Sequence, residues 1–116
     1  MASDLLDAKL IAEIRQIERA TGQTNVLAGL VRTLEVHLTD FPAEFAACVE
    51  RGDGTGAARA AHTLKGSCRQ LGASALGDLF TEIESSAKAG DYAEARRRFD
   101  GGADLIARSI EALKRA

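Results

Sequence analysis

Apolar residues recur along this chain at three- and four-residue spacing, the signature of helices that each bury one face. Leu6, Leu10, Ile14 and Ile17 predict a first helix over about 4–20, ended by Gly22. Thr24 or Asn25 can cap a second, over about 25–51, whose stripe is Leu27, Val31, Leu34, Leu38, Phe41, Phe45 and Cys48. Pro42 lies inside that run, yet the stripe keeps its phase across it, so a kinked helix is expected. Gly52-Asp53-Gly54-Thr55-Gly56 breaks the pattern. A third helix then covers about 55–71, capped by Asp53 or Thr55, with Ala57, Ala61, Leu64, Cys68 and Leu71 on its inner side. Gly72 closes it and Ser74 can cap a fourth, over about 74–89, carrying Leu76, Leu79, Phe80, Ile83 and Ala87. Gly90 and Asp91 start a fifth, over about 92–115, with Tyr92, Ala95, Phe99, Ala103, Ile106, Ile110 and Leu113 inward. Gly101-Gly102 interrupts it at a propensity cost of about 1–2 kcal/mol, so that segment is expected to bend or fray. Five amphipathic helices with short turns read as an all-α, antiparallel bundle forming a single domain over residues 1–116.

Composition agrees: alanine, leucine, glutamate and arginine dominate, against four phenylalanines, one tyrosine and one proline. A net charge of −2 gives no basic footprint for nucleic acid. No apolar run is long enough to span a membrane and no leader pattern opens the chain, so a soluble, cytoplasmic protein is expected. Arg96-Arg97-Arg98 is flanked by Glu94 and Asp100 and reads as a solvated face. Cys48 near the hairpin turn and Cys68 on the next helix fall roughly 20 Å apart along the axis, too far for a disulfide.

Signals for conventional catalysis are thin. His37 and His62 are the only histidines, no HxxxH, CxxC or ExxH occurs, and the glycines at 52, 54 and 56 lack the lysine and serine or threonine of a phosphate loop. His37 sits beside Leu34 and Leu38 without cationic neighbours and reads as a boundary residue. His62 stands about 100° around the helix from Ala61, at the edge of the apolar stripe, with Lys65, Gly66 and Arg69 on its own side. A neutral imidazole is a nucleophile toward phosphoryl groups, and the two cations are placed to offset the charge such a group brings. Gly66 costs helix propensity and would leave room for a donor protein to press against the helix.

His62-Thr63-Leu64-Lys65-Gly66-Ser67, followed by Leu71-Gly72-Ala73, Leu76 and Ile83-Glu84, resembles the signature of histidine-containing phosphotransfer (HPt) domains. Asp53 before it and Gly90-Asp91 after it also look like that family's turns. The resemblance implies a four-helix bundle with an additional N-terminal helix and no autokinase activity. Its histidine accepts phosphoryl from a receiver-domain phospho-aspartate and passes it to another receiver aspartate. By that likeness His62 is the phosphorylated residue, Lys65 contacts phosphoryl oxygens, Gly66 permits close docking, and Ser67 supplies a polar contact. Glu84 matches the position that faces the other ring nitrogen, although its bland reading is a surface residue paired with Lys88. Arg69 either touches phosphate or forms part of a basic rim. The implied partners are response-regulator receivers and a hybrid histidine kinase, the Mg²⁺ belongs to the receiver, and no cofactor or metal is expected in this chain, which should be monomeric. Two alternatives stand beside this: the acceptor module of a larger kinase, and a helical adaptor in which His62 is inert.

Overall fold

The computed structural model describes residues 5–116, and within them all regular structure is helical: α1 (Ala8–Thr21), α2 (Val26–Glu50), α3 (Gly54–Gln70), α4 (Ser74–Lys88), α5 (Tyr92–Gly101) and α6 (Ala103–Arg115). Boundaries of α2, α3 and α4 fall within one residue of those the apolar pattern predicts. The two ends of the chain differ, each for a local reason.

At the N-terminal end the helix starts at Ala8 rather than at about residue 4, which itself lies outside the described residues. Asp7 is the cap, its carboxylate accepting from the amides of Lys9 and Leu10 at 3.1 and 3.3 Å. The preceding segment is committed elsewhere: the Asp7 amide donates to the Gly72 carbonyl at 2.6 Å, and Leu5 accepts from the Ala75 amide. Gly72 has φ +80°, and a Cβ there would stand 3.2 Å from the Asp7 carbonyl, so glycine serves both the turn and this close approach. The inward positions of α1 are Ile11, Ile14 and Glu18, whereas Ile17, expected inside, is 56% exposed.

Glu18 also explains how α2 begins. Asn25 holds the cap position but makes no side-chain cap bond; instead Glu18 reaches across from α1 to accept from the Leu27 amide at 3.0 Å. Likewise α4 is capped at Ala73, not by the Ser74 side chain. Asp53 and Asp91 do cap α3 and α5, accepting from the amides of Gly56 and Glu94. α2 runs unbroken through Pro42.

The predicted long last helix is two helices, divided at Gly102. A Cβ on Gly102 would stand 2.5 Å from Leu79 Cδ2, so this buried glycine lets the chain close onto α4 while the helix breaks. The break shifts the phase of the buried face: Ala103, expected inward, is exposed, and Ser109 is buried ahead of the half-buried Ile110.

α2, α3, α4 and α5 pack as successive antiparallel neighbours, α6 lies against α2, α4 and α5, and α1 rests on α2. All five aromatic side chains form one cluster. Phe41 of α2 meets Phe80 of α4 edge-on at 5.6 Å and Phe99 of α5 at 4.9 Å, and Tyr92 joins through Phe45. With Leu27, Leu34, Leu76, Ile83 and Leu113, each at most 2% exposed, this apolar core fixes the rotation of α3 and α4 about their axes. That rotation decides what the outer side of the pair presents.

Candidate functional site

Ala57, Ala61, Leu64 and Cys68 are buried on the inner side of α3, which turns His62 outward with its side chain 62% exposed. Across from it, Phe80, Ile83, Glu84 and Ala87 are all buried on α4. Glu84 is therefore not a surface residue: its side chain is 6% exposed and lies beneath the imidazole. One carboxylate gathers three partners. His62 Nδ1 lies 3.1 Å from Oε2, Lys65 Nζ 2.7 Å from Oε1, and Lys88 Nζ 3.1 Å from Oε2. Glu84 thus makes the expected pair with Lys88 one turn along α4 and faces His62 as well, but from a buried position rather than the surface.

Burial pushes the Glu84 carboxyl up, but the hydrogen bonds from Lys65, Lys88 and His62 outweigh it and hold the pKa at about 2, below the ordinary 4.5. An ionised carboxylate only accepts hydrogen bonds, so Nδ1 of His62 is the donor. In a neutral ring this leaves the lone pair on Nε2, directed to solvent. A carboxylate fixed behind an imidazole and an open nitrogen in front form the arrangement of an oriented nucleophile.

Lys65 is 20% exposed and lies along the pair, its ammonium engaged by Glu84. Gly66 is exposed, and a Cβ there would meet nothing within 4 Å, so no packing within the chain requires the glycine. Its bareness is useful only to something arriving from outside. Arg69 reaches over α4 to Thr81 Oγ1 at 3.1 Å, away from the imidazole. Ser67 is half-buried and stands about 140° around the helix from His62, so the fold does not bring it to the ring. Lys88 joins the constellation unforeseen as a member; its i+4 spacing from Glu84 was the available signal.

On the Asp53 side of the imidazole lies an open groove of about 550 Å³, walled by Ala58, His62, Glu84, Ala87, Lys88 and Tyr92. His37 lies elsewhere, half-buried between α2 and α3 with Nδ1 enclosed and without a hydrogen-bond partner. Cys48 and Cys68 are free and buried, and burial pushes the Cys68 thiol up to about 12, far from reactive thiolate chemistry. Among the described residues no three metal-type side chains cluster, and no helix is long and apolar enough to cross a membrane.

Compared with known proteins, residues 25–116 match a family model described as Hpt domain. That span holds α2 to α6 and every residue of the constellation. No curated protein and no solved structure matches the chain.

Proposed function

The chain belongs to the Hpt-domain family of two-component phosphotransfer modules, and we propose that it is a phosphorelay intermediate in which His62 is phosphorylated by one receiver domain and dephosphorylated by another. The observation that carries this is the His62–Glu84 contact of 3.1 Å beneath an exposed ring.

In the forward step Nε2 attacks phosphorus in line, the N–P bond forming as the acyl P–O bond of the phospho-aspartate breaks. The aspartate leaves as a free carboxylate. Nδ1 keeps its proton throughout, so the phosphorylated ring is a cation, and the Glu84 carboxylate facing it offsets that charge. No proton has to leave the site, which makes the step readily reversible toward a second aspartate. Lys65 is close enough to swing from Oε1 toward the phosphoryl oxygens, and Gly66 admits the receiver surface. The Mg²⁺ of the reaction belongs to the receiver, and the work asked of this chain is to orient one ring. We read the α2–α6 assembly as the family's four-helix bundle with the last helix broken, α1 being the additional helix, and the protein as a cytoplasmic monomer that is charged by a hybrid kinase's receiver.

The test is transfer from receiver domains of the source organism, each charged with acetyl phosphate. The expected result is an acid-labile, base-stable label on wild-type protein and none on His62→Gln. A label that appears only from a kinase core with ATP, or none from any receiver, would overturn the reading.

A further inference from the structure

α3 carries Arg59, Lys65 and Arg69 and no acidic residue over Gly54–Gln70, in a chain whose net charge is −2. With His62 these cations follow at intervals of three, three and four, so they share one side of the helix. They are held differently. Lys65 is engaged by Glu84, and Arg59 is exposed with no ion pair among the described residues. Arg69 is exposed yet fixed.

Its stem lies on Gly77 of α4, where a Cβ would stand 2.9 Å from Arg69 Cγ and 3.4 Å from Nε. Gly77 lies in the first turn of α4, where glycine is a poor helix former, and Arg69 occupies the space its missing side chain leaves. At the far end Nη2 donates to Thr81 Oγ1 at 3.1 Å and stands 3.8 Å from Asp78 Oδ1. The Thr81 hydroxyl in turn donates to the Gly77 carbonyl at 2.9 Å, which turns its oxygen lone pairs toward the guanidinium. Of the five guanidinium N–H groups one is committed to Thr81, and the side chain remains 53% exposed. Arg69 stands seven positions beyond His62, about 10 Å along the axis, and its guanidinium is turned to Thr81 and Asp78 of α4 rather than to the imidazole.

We propose that Arg69, held in place by Gly77, Thr81 and Asp78, is a specificity-determining anchor that takes a carboxylate of the docking receiver in a two-pronged contact two helical turns along α3 from His62. The proposal rests on the phosphotransfer reading above. Its chemistry follows from the remaining donors, which suit a planar carboxylate, and from α3 itself, whose exposed side carries cations and no acid and so favours an acidic partner surface, Asp78 of α4 being a carboxylate already beside the guanidinium. A pre-placed guanidinium loses little freedom on binding, so it discriminates between receivers that do and do not present an acid at that distance.

Transfer kinetics test this, using acetyl-phosphate-charged receivers of the source organism and the full chain. With the best wild-type donor, Arg69→Ala should raise KM about tenfold and Arg69→Glu further, with kcat changed far less. Arg69→Lys should fall between wild type and Arg69→Ala, because an ammonium lacks the fork. Gly77→Ala keeps the guanidinium but displaces its stem, and should raise KM in the same direction while circular dichroism reports intact helices. Arg108→Glu, an exposed charge on α6, is the control and should leave KM unchanged. An unchanged KM in Arg69→Glu, or an equal rise in Arg108→Glu, overturns the anchor while His62 transfer stands. Absence of transfer from every receiver in wild type would remove the phosphotransfer reading and the anchor together.

Discussion

Glu18 on α1 and Glu84 on α4 are both buried carboxylates, 6% and 5% exposed, both below the ordinary carboxylate pKa, and they differ in what holds them there. Glu18 is held first by a backbone amide, that of Leu27, and then by Arg15, itself bonded to the Ala116 carbonyl. It ties the start of α2 to α1. Glu84 is held by three side chains and no backbone amide: Lys65, Lys88 and His62, the last two largely exposed. A carboxylate that satisfies a backbone amide fixes architecture, whereas one held only by side chains, among them an exposed imidazole, can answer a change at any of them. Burial alone does not separate the two roles; the chemical kind of partner does.

The largest expected effect breaks the functional side of that contrast. Glu84→Ala leaves the His62 ring without its acceptor, so transfer to and from His62 should slow by about tenfold or more. Quenched-flow transfer assays with a charged receiver measure it, and Glu84→Gln, which keeps an acceptor but loses the charge, should lie between. An unchanged rate in Glu84→Ala would take Glu84 out of the reaction and make it a second Glu18.

The structural side is broken by Glu18→Ala. The Leu27 amide would lose its acceptor at the buried start of α2, so the melting temperature should drop by several degrees. Transfer measured well below the melt should match wild type, because the α3–α4 face does not depend on this contact. If Glu18→Ala slowed transfer as much as Glu84→Ala, the division of labour would be void.

Much of the α3–α4 face was legible in the chain because one helical period governs it: the inner stripe of α3 fixes which of its residues point out, and His62, Lys65 and Gly66 follow from that phase, whereas Glu84 was set against His62 only by the likeness to the HPt signature and by its spacing reads as a surface partner of Lys88. Ser67 shares the motif but not that side of the helix, lying about 140° around from His62, which motif membership alone does not convey. The chain's ends were less readable. The start of α1 depends on Asp7 being drawn to the Gly72 carbonyl, more than sixty residues away, which no local window contains. Ile17 and Glu18 exchange places with their apolar expectation because α2 needs an acceptor at that spot. The break at Gly102 was foreshadowed by its pair of glycines, yet its consequence, a shift of phase that buries Ser109, depends on contact with Leu79.

Ser109 supplies the smallest and sharpest extension of the comparison, a buried polar group with neither kind of partner. It is 0% exposed on α6, and its Oγ has no hydrogen-bond partner. A desolvated, unpaired hydroxyl opposes folding, and alanine is also the better helix former. Ser109→Ala should therefore stabilise the protein by about 1 kcal/mol in denaturant melts, with transfer rates unchanged. The methyl group of alanine fits wherever serine does, so no new cavity larger than the lost oxygen complicates the result. A loss of stability instead would mean that the hydroxyl donates to a backbone carbonyl on the preceding turn, such as that of Leu105. Ser109 would then stand with Glu18, as a polar side chain buried for the sake of the backbone it satisfies.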